Sequence, residues 1–135
     1  YNPNSDPIRQ AEFFISQVKL EKGDLAPVLD IERKPRGKAQ LQADLVKFLN
    51  RLEQHYGVRP IIYTSYKYMT RYLDTPEFAQ YPLWIAHYYV DTLSYEGAWQ
   101  FWQHTDYGTV PGIDESVDLN VFNGSLDGLQ RYTLK

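Results

Sequence analysis

The chain has 135 residues, enough for one domain, and its 43% hydrophobic and 16% aromatic content supplies a packed core and excludes a disordered chain. Fourteen basic against seventeen acidic residues give a formal charge of -3 with no basic cluster, which argues against a nucleic-acid partner. The absence of cysteine removes disulfides, thiolate metal sites and thiol nucleophiles, and no apolar stretch is long enough to span a bilayer, so no membrane insertion is expected. Residues 1–20 lack the basic start and apolar centre of a signal peptide. Tyr1 is not a natural initiator, and the chain runs from Asn2-Pro-Asn-Ser5 straight into a helix, as if an upstream segment had been cut away.

Ser5 and Asp6 before Pro7 predict a helix with a side-chain cap and proline in its first turn, stopped by Gly23. Its apolar stripe is Ile8, Ala11, Ile15 and Val18. Residues 26–32 read as a strand. A basic loop over residues 33–38 leads into a second helix with Leu41, Leu45, Phe48 and Leu52 on one face and Gly57 as its stop. Residues 60–65 are the next strand, followed by a tyrosine-rich helix over residues 66–73 and a buried strand over residues 83–88. Residues 99–104 and 117–122 alternate and are expected to pair antiparallel. Strand-helix repeats followed by a hairpin predict a mainly parallel α/β sheet, curled, with helices outside. No repeat or linker divides the chain, so residues 1–135 form a single domain.

Asp30 and Glu32 stand i and i+2 at the end of a strand, so they share a face. Two acids facing one space suit acid/base cleavage of a glycosidic bond; the alternative is a solvated strand end neutralised by Arg33, Lys34 and Arg36. Asp118 and Asn120 repeat the spacing, with turn chemistry as their alternative. Sugar rings pack on aromatic faces, which makes Tyr63, Tyr88 and either Trp99 or Trp102 groove candidates, with Phe101 and at least one tryptophan in the core. Gln100 and Gln103 fall on opposite faces, so only one can meet the pocket. His55, His87 and His104 have no metal-ligand spacing, no Gly-x-Ser-x-Gly elbow is present and no glycine-rich loop follows a strand. Carboxylate chemistry without a cofactor or metal is what remains, although Asp30, Glu32 and Asp118 could together offer oxygen ligands to a divalent cation.

The segments Val28-Leu-Asp-Ile-Glu32, Pro60-Ile-Ile-Tyr63, Leu83-Trp-Ile-Ala86, Trp99-Gln-Phe-Trp-Gln103, Val110-Pro-Gly-Ile113 and Val117-Asp-Leu-Asn-Val-Phe122 closely resemble, in order and spacing, the glycoside hydrolase family 25 lysozymes. The resemblance implies an N-acetylmuramidase cutting the β-1,4 bond between N-acetylmuramic acid and N-acetylglucosamine in peptidoglycan glycan strands. It also implies an irregular, TIM-like β/α barrel with parallel strands and a few antiparallel closing strands. By the same comparison Glu32 matches the proton donor, Asp30 the first acid and Asp118 the later aspartate. Tyr63, Trp84, Trp99 and Gln103 match positions lining the groove. A retaining route is implied, in which the substrate's own acetamide serves as nucleophile, Glu32 acts as acid/base and Asp30 orients the acetamide. A secreted, periplasmic or cell-wall-associated location is expected.

The chain departs from the family pattern at its start. The family's first strand, with its Gly-Ile-Asp-Val-Ser-like motif, and two further strand-helix units have no counterpart before Tyr1, so the domain reads as N-terminally truncated by about a third of such a barrel. Exposed sheet edges, self-association through them and impaired activity are the expectation for such a piece. A carbohydrate-binding remnant that holds glycan without cutting it is the competing function.

Overall fold

A computed structural model describes all 135 residues. Helix α1, Pro7–Gln17, starts where Asp6 accepts a hydrogen bond from the Arg9 amide at 2.7 Å, with proline in the first turn. It stops six residues before the expected Gly23. Val18 already takes an extended backbone, while Gly23, at φ +94°, serves a separate turn. The buried stripe of α1 is Pro7, Ala11 and Ile15, and Ile8, expected on it, is 41% exposed. Spacing by four from proline rotates the stripe one position away from Ile8.

Strand β1, Val28–Asp30, is shorter than the expected 26–32 because regular pairing is confined to the residues opposite β2. Its ladder still extends at both ends, with Ile61 N donating to Pro27 O and Ile31 N to Tyr63 O. Helix α2, Lys38–Tyr56, buries Leu41, Leu45, Phe48, Leu49 and Leu52 and ends at Gly57, whose φ of +69° is the left-handed cap glycine accepts without a Cβ penalty. Strand β2, Ile61–Ser65, leads into one helical turn, α3, Tyr66–Tyr68, and a π-helical turn, Met69–Leu73. Strand β3, Leu83–Ala86, is followed by an irregular crossover to β4, Phe101–Gly108. Strand β5, Val117–Phe122, and the short helix α4, Leu126–Leu129, complete the chain.

The five strands form one sheet in chain order, parallel from β1 to β4 and antiparallel between β4 and β5. This is a mixed α/β fold with a mainly parallel sheet that does not close; β1 and β5 are its edges. α1 and α2 pack on one face, where Leu29, Ile31, Ile62, Leu83 and Ile85 meet Ala11, Ile15, Leu45, Phe48 and Leu52 in the main core. The other face carries a smaller apolar cluster of Ala26, Ile61 and Phe101, backed by Val28, Trp84, Phe122 and Tyr132. A polar cluster occupies the rest of that face.

Candidate functional site

Cross-strand partners share a face, so the register assigns the sides directly. Asp30 pairs with Tyr63, Tyr63 with Trp84, Trp84 with Phe101 and Phe101 with Phe122. One step toward the strands' C-terminal ends, Ala86 pairs with Gln103 and Gln103 with Asn120. These two rows form the face opposite the helices. Their C-terminal end is where ligands bind in sheets of this kind.

Gln103 is the centre of the cluster. It is 5% exposed, and its Oε1 accepts hydrogen bonds from Tyr63 Oη and Tyr88 Oη, each at 2.6 Å. Its Nε2 donates to Asp118 Oδ2 at 2.9 Å. Both ends of the amide are thus occupied by protein, which fixes its orientation and turns both phenolic protons inward. Alongside, Trp84 Nε1 donates to Asn120 Oδ1 at 2.8 Å, and the Tyr63 and Trp84 rings meet edge to face at 5.6 Å.

Glu32 lies just past β1, on a backbone tied down on both sides. Buried Thr64 donates to Ile31 O at 2.5 Å, and Tyr68 Oη donates to Arg33 O at 2.9 Å. Both acids are exposed, yet Glu32 is held above the ordinary carboxylate range. Partial loss of hydration contributes most, followed by the charge of Asp30 and a hydrogen bond between the two carboxyls. Burial, the Tyr88 hydroxyl and the charges of Glu32 and Asp30 in turn push the Tyr63 phenol up. Tyr88 is also raised, by burial first and also by the charges of Asp118, Asp106 and Glu32. Four acids, Asp30, Glu32, Asp106 and Asp118, thus act on one pair of tyrosine hydroxyls.

The basic loop does not neutralise this cluster. The three ion pairs, Lys47–Asp44, Arg51–Glu12 and Arg59–Glu53, all lie elsewhere. No group of three or more His, Asp or Glu side chains converges closely enough to hold a metal ion, so the divalent-cation reading has no ligand set.

Of the residues singled out in the sequence, Asp30, Glu32, Tyr63, Trp84, Tyr88, Gln103, Asp118 and Asn120 are brought to this face. Trp99 is not. It packs with Trp102 against the helix-side core, the two indoles edge to face at 6.4 Å, and Trp102 pairs with Ile85 and donates to His87 O. Neither of these tryptophans reaches the polar cluster; Trp84 is the one that does. Gln100 is spent on the Leu83 amide, leaving Gln103 as the glutamine on the site. Sequence reasoning passed over Asp106, whose charge acts on Tyr88. It lies in a stretch of β4 where the register with β5 shifts, between Thr105 and Gly108. Nothing local in Thr105-Asp106-Tyr107-Gly108 marks this shift, which pairing with β5 creates.

The sheet is open and mainly parallel, with carboxylates and aromatic side chains gathered at its C-terminal strand ends. Residues 1–113 match the model of glycosyl hydrolases family 25, and the chain belongs to that family. Among solved structures it is similar to a family 25 glycosyl hydrolase from Bacillus anthracis, with 31% identity and a TM-score of 0.86 over 98% of this chain and 65% of that one. It is likewise similar to a bacterial lysozyme from Streptomyces coelicolor, at 30% identity and a TM-score of 0.84 over 96% and 66%. Lysozyme M1 of Streptomyces globisporus is 30% identical over 139 residues, covering 91% of this chain and 47% of that protein. The uncharacterized protein YegX of Escherichia coli K12 is 37% identical over 134 residues, covering 98% and 49%. The chain spans about half the length of the curated relatives it matches.

Proposed function

We propose that the chain is the C-terminal part of a muramidase catalytic domain, cleaving the β-1,4 bond between N-acetylmuramic acid and N-acetylglucosamine in peptidoglycan. Family membership supports the reaction class, and two of the similar proteins are named lysozymes. The observation that carries the assignment of roles is that Asp30 pairs with Tyr63 on the face that carries Gln103 and Asp118, with Glu32 two residues further on. Partial loss of hydration and the charge of Asp30 make Glu32 hold its proton more tightly than an ordinary carboxyl, the direction a proton donor to a leaving oxygen requires. Glu32 is then the general acid/base. Asp30, two residues before it at the end of the same strand, orients the substrate acetamide for a retaining, substrate-assisted route. Asp118, held by Gln103, supplies negative charge opposite a developing oxocarbenium ion. Tyr63, Trp84, Tyr88 and Asn120 line the groove, and Gln103 positions rather than binds.

A second reading rests on the open edge of the sheet. β1 has no strand on its free side, and Asp30 and Glu32 are exposed to solvent, which suits glycan binding without cleavage. The two readings separate on turnover. The chain, alone and with any residues its gene encodes before Tyr1, is incubated with peptidoglycan and the new reducing ends are counted. Release that disappears in Glu32→Gln supports the hydrolase; glycan binding with no release from either form supports the binder.

A further inference from the structure

We propose that Tyr89, Asp106 and Tyr107 form a separate sugar-binding ledge that takes an N-acetylhexosamine ring of a glycan strand away from the bond being cleaved. The proposal rests on the carbohydrate reading above but not on cleavage. Tyr89 is the one non-glycine residue in the chain with a positive φ, +58°. A bulky side chain in the left-handed region costs backbone energy, and such positions persist where function holds them. Burial does not offset that cost, because Tyr89 is 77% exposed. What holds it is a hydrogen bond from Tyr89 Oη to Asp106 Oδ1.

Asp106 and Tyr107 lie in the bulged part of β4, where the register with β5 shifts between Thr105 and Gly108. Bulges re-aim side chains beside sites. The Tyr107 amide donates to Thr105 Oγ1 at 3.0 Å, fixing the bulge, and the Tyr107 ring is 76% exposed. The ledge is continuous with the acid cluster. The Tyr88 and Tyr89 rings are 6.1 Å apart, and Tyr88 is one of the two tyrosines that donate to Gln103.

The chemistry matches a pyranose. A sugar offers an apolar C–H face and a rim of hydroxyls, so it needs an aromatic plane beside an acceptor. Here the exposed Tyr89 phenol donates to a carboxylate whose Oδ2 has no protein partner, and the exposed Tyr107 ring belongs to the next residue along the bulge. An apolar protein surface would instead demand a contiguous apolar patch without a carboxylate at its centre. Holding Tyr89 in place beforehand lowers the ordering cost of binding.

Tyr89→Gly is the informative substitution, because it removes the ring and installs the residue that accepts φ +58°. Its melting temperature should equal or exceed that of the parent. Binding of a soluble N-acetylglucosamine tetramer, measured by calorimetry on the 135-residue chain, should weaken about tenfold, the scale of losing one aromatic platform. Tyr107→Ala should weaken it in the same sense, whereas affinity for the disaccharide should not change in either variant. Unchanged tetramer affinity in both variants, or no tetramer binding by the parent chain, overturns the ledge. Reducing-end release from peptidoglycan is scored separately. Tyr89-dependent binding without release keeps the ledge and removes the hydrolase; release with Tyr89-independent binding removes the ledge alone.

Discussion

Gln103 Nε2 donates to Asp118 Oδ2 at 2.9 Å across the antiparallel pair that ends the sheet. Because the same amide accepts from Tyr63 and Tyr88, one buried side chain connects β2, the segment after β3, β4 and β5. Replacing it with leucine keeps the volume but leaves two phenols and a carboxylate unpaired. Gln103→Leu should cost about 2 kcal/mol of stability by urea unfolding, from the penalty of orphaned polar groups.

Glu32 gives a stability signature with a definite sign. In the folded chain it holds its proton to higher pH than its usual value of 4.5, so between those two values the folded state binds more protons than the unfolded one. Its contribution to stability therefore falls as pH rises from 4.5 through the higher folded-state value. Glu32→Gln has no such loss. Its melting temperature should exceed the parent's at neutral pH, and the difference should shrink away below about pH 4.

Thr64 holds the carbonyl immediately before Glu32. Thr64→Val is close to isosteric but cannot donate to Ile31 O, so the unfolding free energy should drop by about 1–3 kcal/mol. If the chain is a hydrolase, kcat should fall more than KM rises, because the acid is loosened while the groove is kept.

Gly108 sits opposite Val117 where β4 pairs with β5. A Cβ there would run into the Leu119 side chain and lie 2.8 Å from Val117 O. Gly108→Ala should destabilise by about 1–3 kcal/mol and, by prying β5 outward, weaken the Asp118 contact as well; chemical denaturation and the amide signals of Asp118 and Asn120 report the two effects.

What the sequence made legible follows from periodicity. Alternation placed Asp30 with Glu32 and Asp118 with Asn120 on common faces, since a strand repeats every two residues. The leucine spacing of α2 and Gly57 marked that helix and its end correctly. Gly23 predicts a later end for α1 than the structure has, because the chain already becomes extended at Val18. The side on which Trp99 and Trp102 lie was not legible, because it depends on how β4 registers with β3 and β5, a tertiary matter. The same holds for Asp106. A bulge is created by pairing, and no local pattern states it outright.

The most direct measurement is the rate at which peptidoglycan releases new reducing ends with the parent chain, joined to any residues encoded before Tyr1, and with Glu32→Gln. General-acid removal should reduce that rate by roughly 100- to 10,000-fold while the variant remains folded and still binds glycan. Equal rates for parent and Glu32→Gln would contradict the assignment of Glu32 as the acid on which the site is built.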